Sequence, residues 1–510
     1  MESESRQTKS PWIDTVDMPE FPQLSEDVRA DVCVVGAGIA GMTTAYMLAK
    51  AGSSVVVLDD GLIGNGETGR TTAHITAALD DRYFRIESMH GSEGARLAAE
   101  SHTAAVNRAG FIMREEEIDC DFEIVDGYLF APEGMTQVEF RRRLEKEVPA
   151  VHRAGLSDVV VVERCPFDFW DSGVALKFPD QAQFHPLKFL AGLARCIERD
   201  GGRIYNYTHV ESVEGGPSAV TRTDRGHRVL SAATVVCTNS SISDYVLTHT
   251  KQAAFRTYVI ALRVLTGSVP HGLYWDDADP YHYVRLQRVG DHGDLLIVGG
   301  EDHKTGHRDG KDRFAALERW TRERFPMAGP VEYRWSGQVL EPFDYLSFTG
   351  ANPDGTENVY MHSGDSGNGI THGIVAGILL TDLVMKRENP WAALYDPKRV
   401  SLKAAPDFIK ENADVAVHYT EYLRSGDVRN ASEVPVGKGR VVVKNGRHVA
   451  AYRDFDGVLH ECSAVCTHLK CIVHWNSTEK TWDCPCHGSR YDPYGAVLNG
   501  PAISGLERLV

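Results

Sequence analysis

The sequence predicts an α/β (α+β) multidomain protein: a parallel-sheet nucleotide-binding domain, a mixed-sheet second domain, and a small all-β domain at the C-terminal end. Three observations predict it. A strand–glycine loop–helix–strand unit opens at Asp31. A second strand–glycine loop–helix closes the body over Asn358–Val384. Five of the ten cysteines then crowd into 25 residues among short alternating runs.

Asp31–Gly36 is an apolar run ending in glycines, Ile39–Ala51 has helical character, and Ser54–Leu58 is a second buried-strand run. Together they form a βαβ unit, the start of a parallel sheet. Gly36-Ala-Gly38-Ile-Ala-Gly41 lies between strand and helix, where glycines permit a tight turn and let a pyrophosphate approach the helix N-terminus. This is a Rossmann-like arrangement. Asp59, or its neighbour Asp60, ends the second strand where an acid takes ribose hydroxyls. At the far end, Asn358–His362 reads as a strand, Gly364–Gly369 as a glycine loop and Ile370–Val384 as a helix, so one nucleotide-binding domain is split between the two ends of the body. Strand-like runs at Asp158–Val162, Thr257–Val264 and Leu295–Val298 belong to the intervening second domain.

Pro397–Val436 changes to a polar helix-like stretch, with Phe408, Val415, Tyr419, Tyr422 and Leu423 at near-helical spacing, and a turn-rich connector follows. Arg440–Lys444 and His448–Arg453, broken by Asn445-Gly446 and Asp456-Gly457, read as hairpins. The expected organisation is an extension over 1–30 and a body over 31–396. Its nucleotide-binding parts are about 31–110, 180–245 and 340–396, and its second-domain parts about 111–179 and 246–339. A linker over 397–435 and a terminal domain over 436–510 complete it.

At 510 residues the chain exceeds one ordinary core. Its net charge of −17 argues against nucleic-acid and anionic-membrane partners. Met1–Gln23 lacks the basic start and apolar stretch of a signal peptide, and no run nears the roughly 20 apolar residues of a membrane span. The expected location is the cytoplasm. Five cysteines are scattered singly and read as buried small hydrophobes; the crowded five, with histidines nearby, read as a metal site.

The decisive segment is Cys466-Thr-His468, fifteen residues, then Cys484-Pro-Cys-His487. Two Cys–His pairs can supply two thiolates to one iron and two imidazoles to another, which raises a cluster's potential to about −150 to +300 mV. Zinc suits two cysteines and two histidines equally well, although a Cys-x-His pair is not its usual grip. Here the sequence resembles the Rieske [2Fe–2S] family: Cys466–Cys471 and Cys484–Ser489 look like its two loop boxes, and Gly500-Pro-Ala502 like its proline loop. The resemblance implies Cys466, His468, Cys484 and His487 as ligands and a Cys471–Cys486 disulfide across the loops. It also implies Ser489 and Tyr491 as hydroxyl donors to cluster sulfurs. Lys470 departs from the glycine usual there. No two-His-one-carboxylate site for a mononuclear iron stands out.

The body resembles the D-amino-acid oxidase and glycine oxidase superfamily. Gly64–Thr72 is similar to its second phosphate-facing loop, Val235–Asn239 to its later strand and turn, and Gly364–Thr371 to its C-terminal flavin loop. FAD is the cofactor implied. Its expected contacts are Gly36, Gly38, Gly41, Asp59, Thr68, Arg70, Thr71, Val210, Thr238, Gly364, Asp365, Gly369, Ile370 and Thr371. His74 marks where some relatives tether flavin covalently, with noncovalent FAD the expectation here. Phe184–Pro186, Arg256–Tyr258, Gly300–His303 and Trp335–Gln338 resemble the FAD-dependent oxidoreductases that carry a C-terminal Rieske domain.

Relatives oxidise a C–N or C–O bond by hydride transfer, often gripping a substrate carboxylate with arginine. Arg285 is the expected clamp, Tyr283 and Tyr258 are expected to orient an amine, and His303 and His185 are candidate bases. Structural roles for all of these stand as the alternative. The leading functional expectation is a dehydrogenase of a small amine, amino acid or related metabolite. Its FAD accepts hydride, and its cluster passes electrons singly to an external acceptor. The alternatives are reverse flow from an external donor, and a redox sensor or carrier without catalysis. Oligomeric state is not legible.

Overall fold

A computed structural model describes residues 9–243, 247–290, 293–307 and 312–509. The first sheet has Val28–Val35 at its centre, paired in parallel with Val55–Leu58 on one side and Arg228–Val236 on the other. Arg203–Tyr205 extends one flank; Val359–Ser363 and the antiparallel Phe348–Ala351 extend the other. The central strands are continuous valine-rich runs because both faces are covered. The opening and closing segments of the body therefore share one sheet.

The helices Ile39–Lys50 and Gly369–Val384 lie against each other on this sheet. Their approach requires glycine: a Cβ on Gly377 would stand 2.4 Å from Thr43 Cγ2, and one on Gly373 2.5 Å from Ile39 Cγ2. The two helix N-termini consequently open on the same side of the sheet.

The second sheet contains nine strands, and its long antiparallel core is Val331–Pro342, Gln252–Val264, Asp294–Lys304 and His282–Arg288. Leu273–Asp276 joins it in parallel to Glu123–Phe130, which pairs with Ala175–Gln183. It stands over the mouth of the first sheet. The segment before the body is not a loose extension: Trp12 is fully buried, its Nε1 donates to Thr71 O at 2.6 Å, and Ser10 Oγ donates to Gly69 O at 2.5 Å.

Beyond the body, Ala405–His418 is helical with no buried residue, and a 3₁₀ turn, Tyr419–Leu423, follows it. The expected helical run thus tightens after His418. Tyr419 and Tyr422 turn to donate to Leu469 O and Lys470 O, both at 2.5 Å, on the first cysteine loop. The terminal domain holds a three-stranded sheet (Lys438–Lys444, Arg447–Arg453, Leu459–Ser463) and a four-stranded one (His474–Asn476, Thr481–Asp483, Arg490–Tyr491, Val497–Asn499). Residues before 436 also join it, since Asp427 N donates to Val441 O and Val428 bridges Val442.

This domain is seated on the body through a buried charge network. Glu479 Oε2 accepts from Arg256 at 2.8 Å and from Arg490 at 2.9 Å, and all three side chains are nearly sealed from solvent. Burial works against the charge of Glu479, but the two guanidiniums hold its carboxyl low, at about 2.

Candidate active site and iron–sulfur centre

A cavity of about 570 Å³ runs from the first glycine loop, between the two sheets, to the terminal domain. At its nucleotide end Gly36 adopts φ +100°, and a Cβ there would stand 2.4 Å from Cys237 O. Only glycine serves at that close approach. Gly38, Thr68, Arg70, Thr71, Val210, Thr238, Asp365, Gly369 and Ile370 line this cavity. Gly41, Gly364 and Thr371 are not among its lining residues. Gly41 packs the helix onto the glycine loop, and Thr371 Oγ1 accepts from Thr76 N at 3.1 Å. Thr68 Oγ1 accepts from Ile39 N at 3.0 Å, tying the second loop to the first helix N-terminus. Asp59 also lines the cavity, where its carboxylate accepts from Ala37 N at 2.6 Å and Gly61 N at 2.8 Å; Asp60 turns outward to His209 at 3.2 Å. At the other helix N-terminus, Asp365 Oδ1 lies 3.0 Å from His362 Nε2.

These features fit FAD: an elongated cavity, a loop where a Cβ would fill the cradle, and two helix N-termini converging on it. The residues that would hold it are those of the two glycine loops, Asp59, and the turn from Asp365 to Ile370.

The expected catalytic set separates. Tyr283 lines the cavity beside Thr257, Trp275 and Tyr281, and its Oη lies 2.7 Å from Thr257 Oγ1. Arg285 does not reach the cavity, which corrects the expected carboxylate clamp. The side chain lies on the same face of the strand as Tyr283, but two residues further along, past the end of the cavity. There its Nη1 donates to Thr72 O, Ala73 O and Phe184 O at 3.0–3.2 Å, and its guanidinium lies over the Trp12 ring at 5.3 Å. Burial pulls its pKa down to about 9. Tyr258 and His303 also miss the cavity. They stack at 5.6 Å in the second-sheet core. His185 caps the helix Pro186–Arg199 and packs on Trp12, a structural role. His74 lines the cavity 5.8 Å from the Tyr283 ring, and burial lowers its pKa to about 3, so it is a neutral imidazole.

Several residues take roles at the site that the sequence did not predict. Asp80 lines the cavity and accepts from Tyr281 Oη at 3.1 Å. The proline-loop segment Val497–Gly500, with Ala502 and Ile503, forms part of the same wall, and Asn499 Nδ2 donates to Glu67 Oε1 at 2.8 Å. Gln338 touches both halves: its Nε2 donates to Gly488 O at 2.8 Å, while its Oε1 accepts from Asn239 Nδ2 at 3.1 Å.

In the terminal domain, the loops bearing Cys466–His468 and Cys484–His487 converge. The two thiols are buried, the two imidazoles lie 5.0 Å apart, and His487 Nδ1 is a buried ring nitrogen with no hydrogen-bond partner among the described residues. Two thiols and two imidazoles facing one another fit a [2Fe–2S] cluster. Cys471 and Cys486 form a disulfide across the loops. Tyr491 Oη lies 3.2 Å from Cys466 Sγ, and Ser489 Oγ accepts from Ala502 N at 3.0 Å. Lys470 has φ +66°, the left-handed region that favours glycine, so the departure noted in the sequence is tolerated at a backbone cost. His249 of the body meets the His468 ring edge-on at 5.4 Å.

Fold and site together define a flavoprotein oxidoreductase bearing a Rieske-type domain. Comparison with known sequences agrees. The FAD dependent oxidoreductase family matches residues 31–383 and the Rieske [2Fe-2S] domain residues 425–509, and the chain belongs to the FAD dependent oxidoreductase family. It is similar along nearly its whole length to a putative Rieske 2Fe-2S iron-sulfur protein, YhfW, of Bacillus subtilis. The identity is 35% over 504 residues, covering 98% of this chain and 97% of the relative. It is 28% identical over 385 residues to gamma-glutamylputrescine oxidoreductase of Escherichia coli, covering 71% of this chain and 85% of that one. Glycine oxidase from Geobacillus kaustophilus shares the fold of the body, with TM-score 0.61 at 18% identity over 73% of this chain and all of that one.

Proposed function

We propose that this protein is a dehydrogenase that oxidises a small amine, with electrons leaving through the terminal-domain cluster to an external acceptor. The observation that carries this reading is the shared wall: residues 497–500, 502 and 503 of the terminal domain line the same cavity as the flavin loops. When bound, FAD supplies a two-electron hydride acceptor and the cluster a one-electron carrier. The chain's own residues position the reaction. Tyr283, Thr257 and Tyr281 present hydroxyls to the space beyond the flavin loops, and neutral His74 stands beside them. The second sheet and the terminal domain roof this space and exclude water. The relation to an enzyme named for gamma-glutamylputrescine supports an amine as the class of substrate.

The test is anaerobic addition of an amine panel to the holoenzyme, read at flavin and cluster wavelengths together. Loss of flavin colour followed by reduction of the cluster is the expected result. Flavin bleaching with an unchanged cluster signal overturns the proposal.

A further inference from the structure

The substrate end of the cavity is aromatic and acidic. Trp275, Tyr281 and Tyr283 line it with Asp80. Behind this surface stand Asp302, whose buried Oδ1 meets no donor among the described residues, and Glu341. Arg82, the cation beside Asp80, is committed elsewhere: its Nε donates to Asp277 at 3.2 Å and its Nη1 to the carbonyls of Leu79 and Asp80 at 3.4 and 2.9 Å. Among the described residues, Arg70 alone of the arginines and lysines lines the cavity, and it belongs to the second flavin loop with its Nη1 3.4 Å from Ser336 O. Arg285 is spent on backbone carbonyls past the end of the cavity.

Aromatic faces next to a carboxylate that accepts a hydrogen bond from Tyr281 and lies near Arg82, with no ion pair to its guanidinium among the described residues, attract an ammonium group by ring quadrupole and by charge. A carboxylate placed there would be desolvated against like charge with no cation to answer it. We propose that the substrate is recognised through a cationic ammonium group held by Asp80 and the Trp275–Tyr281–Tyr283 wall, and that this end of the site refuses carboxylates. The inference rests on the amine-oxidising reading and narrows it to amines whose recognised end carries no acid.

Burial raises the Asp80 carboxyl to about 6, with Arg82 and Tyr281 opposing, and raises Asp302 to about 7. An arriving cation therefore finds groups that ionise more readily in its presence. This supports the geometry without replacing it.

The test is a stopped-flow titration of the oxidised, anaerobic holoenzyme with n-butylamine, 1,4-diaminobutane, butyrate and 4-aminobutanoate, read as the perturbation of the oxidised-flavin spectrum that precedes any bleaching. The two amines are expected to act at concentrations at least about tenfold below butyrate, with the diamine ahead of 4-aminobutanoate. Asp80→Asn is expected to weaken both amines by about tenfold or more, and Asp80→Glu to restore part of the loss. Butyrate binding as tightly as butylamine overturns the proposal and assigns Arg70 as a carboxylate clamp. A flavin spectrum that responds to none of the four compounds overturns it as well, as does an Asp80→Asn enzyme that retains wild-type amine affinity. Because wild-type selectivity is read first, a misfolded variant leaves that arm decisive. Binding is read in the phase before bleaching, so amines that bind but then reduce neither cofactor would sink the dehydrogenase reading and leave this one standing.

Discussion

At the scale of single residues, burial decides what a side chain does. Arg285 has the chemistry of a carboxylate clamp, yet its guanidinium is 1% exposed and holds together the Thr72–Ala73 turn, Phe184 and Trp12. Arg285→Met would leave three carbonyls without a donor in a dry site. The expected cost is about 3 kcal/mol or more, seen in denaturant unfolding, with FAD retention falling because Thr72 adjoins the second flavin loop. Amine affinity in FAD-loaded protein should stay near wild type; a large selective loss would restore Arg285 to the binding site. Asp80 supplies a pH signature. It is faced by Tyr281, Arg82, Asp81, Asp302 and Glu341. Its pKa of about 6 is raised, so below that value a proton must leave before a cation can pair with it. Amine affinity should therefore rise as pH climbs through about 6 to 7 and level off above, with proton release on the acid side. Calorimetric titration in two buffers of different ionisation enthalpy measures this, and affinity falling with rising pH over that window would refute it.

At the scale of elements, what was legible in the sequence is what a local stretch of chain accomplishes alone. Gly36-Ala-Gly38 announces its loop because a tight turn into a helix needs glycine within a few residues. Cys466–His468 and Cys484–His487 announce a metal site because each loop carries its own donors. The roles of Trp12, Asp80, Gln338 and Asn499 were illegible because they come from partners far along the chain. Asn499 meets Glu67 across 432 residues and Gln338 N meets the same carboxylate across 271. Strand position was equally hidden: it brings Tyr283 to the cavity and carries Arg285, two residues on along the same face, past its end into backbone contacts. The seat of the terminal domain depends on such a distant set, Arg256, Glu479 and Arg490. Glu479→Gln would strand two buried guanidiniums, at an expected cost of about 3–5 kcal/mol. The domain should loosen on its linker, so proteolysis within residues 397–435 is expected to accelerate severalfold while the cluster spectrum persists. An unchanged cleavage rate would show that the network does not hold the seat.

At the scale of the whole molecule, the two redox sites are arranged as neighbours within one chain. Residues 497–500, 502 and 503 line the flavin cavity, Gln338 spans from Asn239 on that cavity to Gly488 beside His487, and His249 abuts His468. A linker that keeps two sites together turns their encounter into an intramolecular event with an effective concentration independent of the bulk. Flavin-to-cluster transfer should therefore proceed at one rate when the holoenzyme is diluted about a hundredfold, as stopped-flow absorbance after rapid anaerobic reduction of the flavin would show. A rate that falls with dilution would place the working contact between two chains. Within the single chain, Gln338→Leu removes the hydrogen-bonded bridge while keeping bulk on the strand. Transfer is expected to slow severalfold or more with both cofactor contents unchanged, because Gly488 loses its donor and the loop bearing His487 is no longer tied to the cavity wall. If dilution leaves the rate constant but Gln338→Leu leaves it equally untouched, the His249–His468 contact is left as the route across the interface, and His249→Ala then becomes the variant that must slow it.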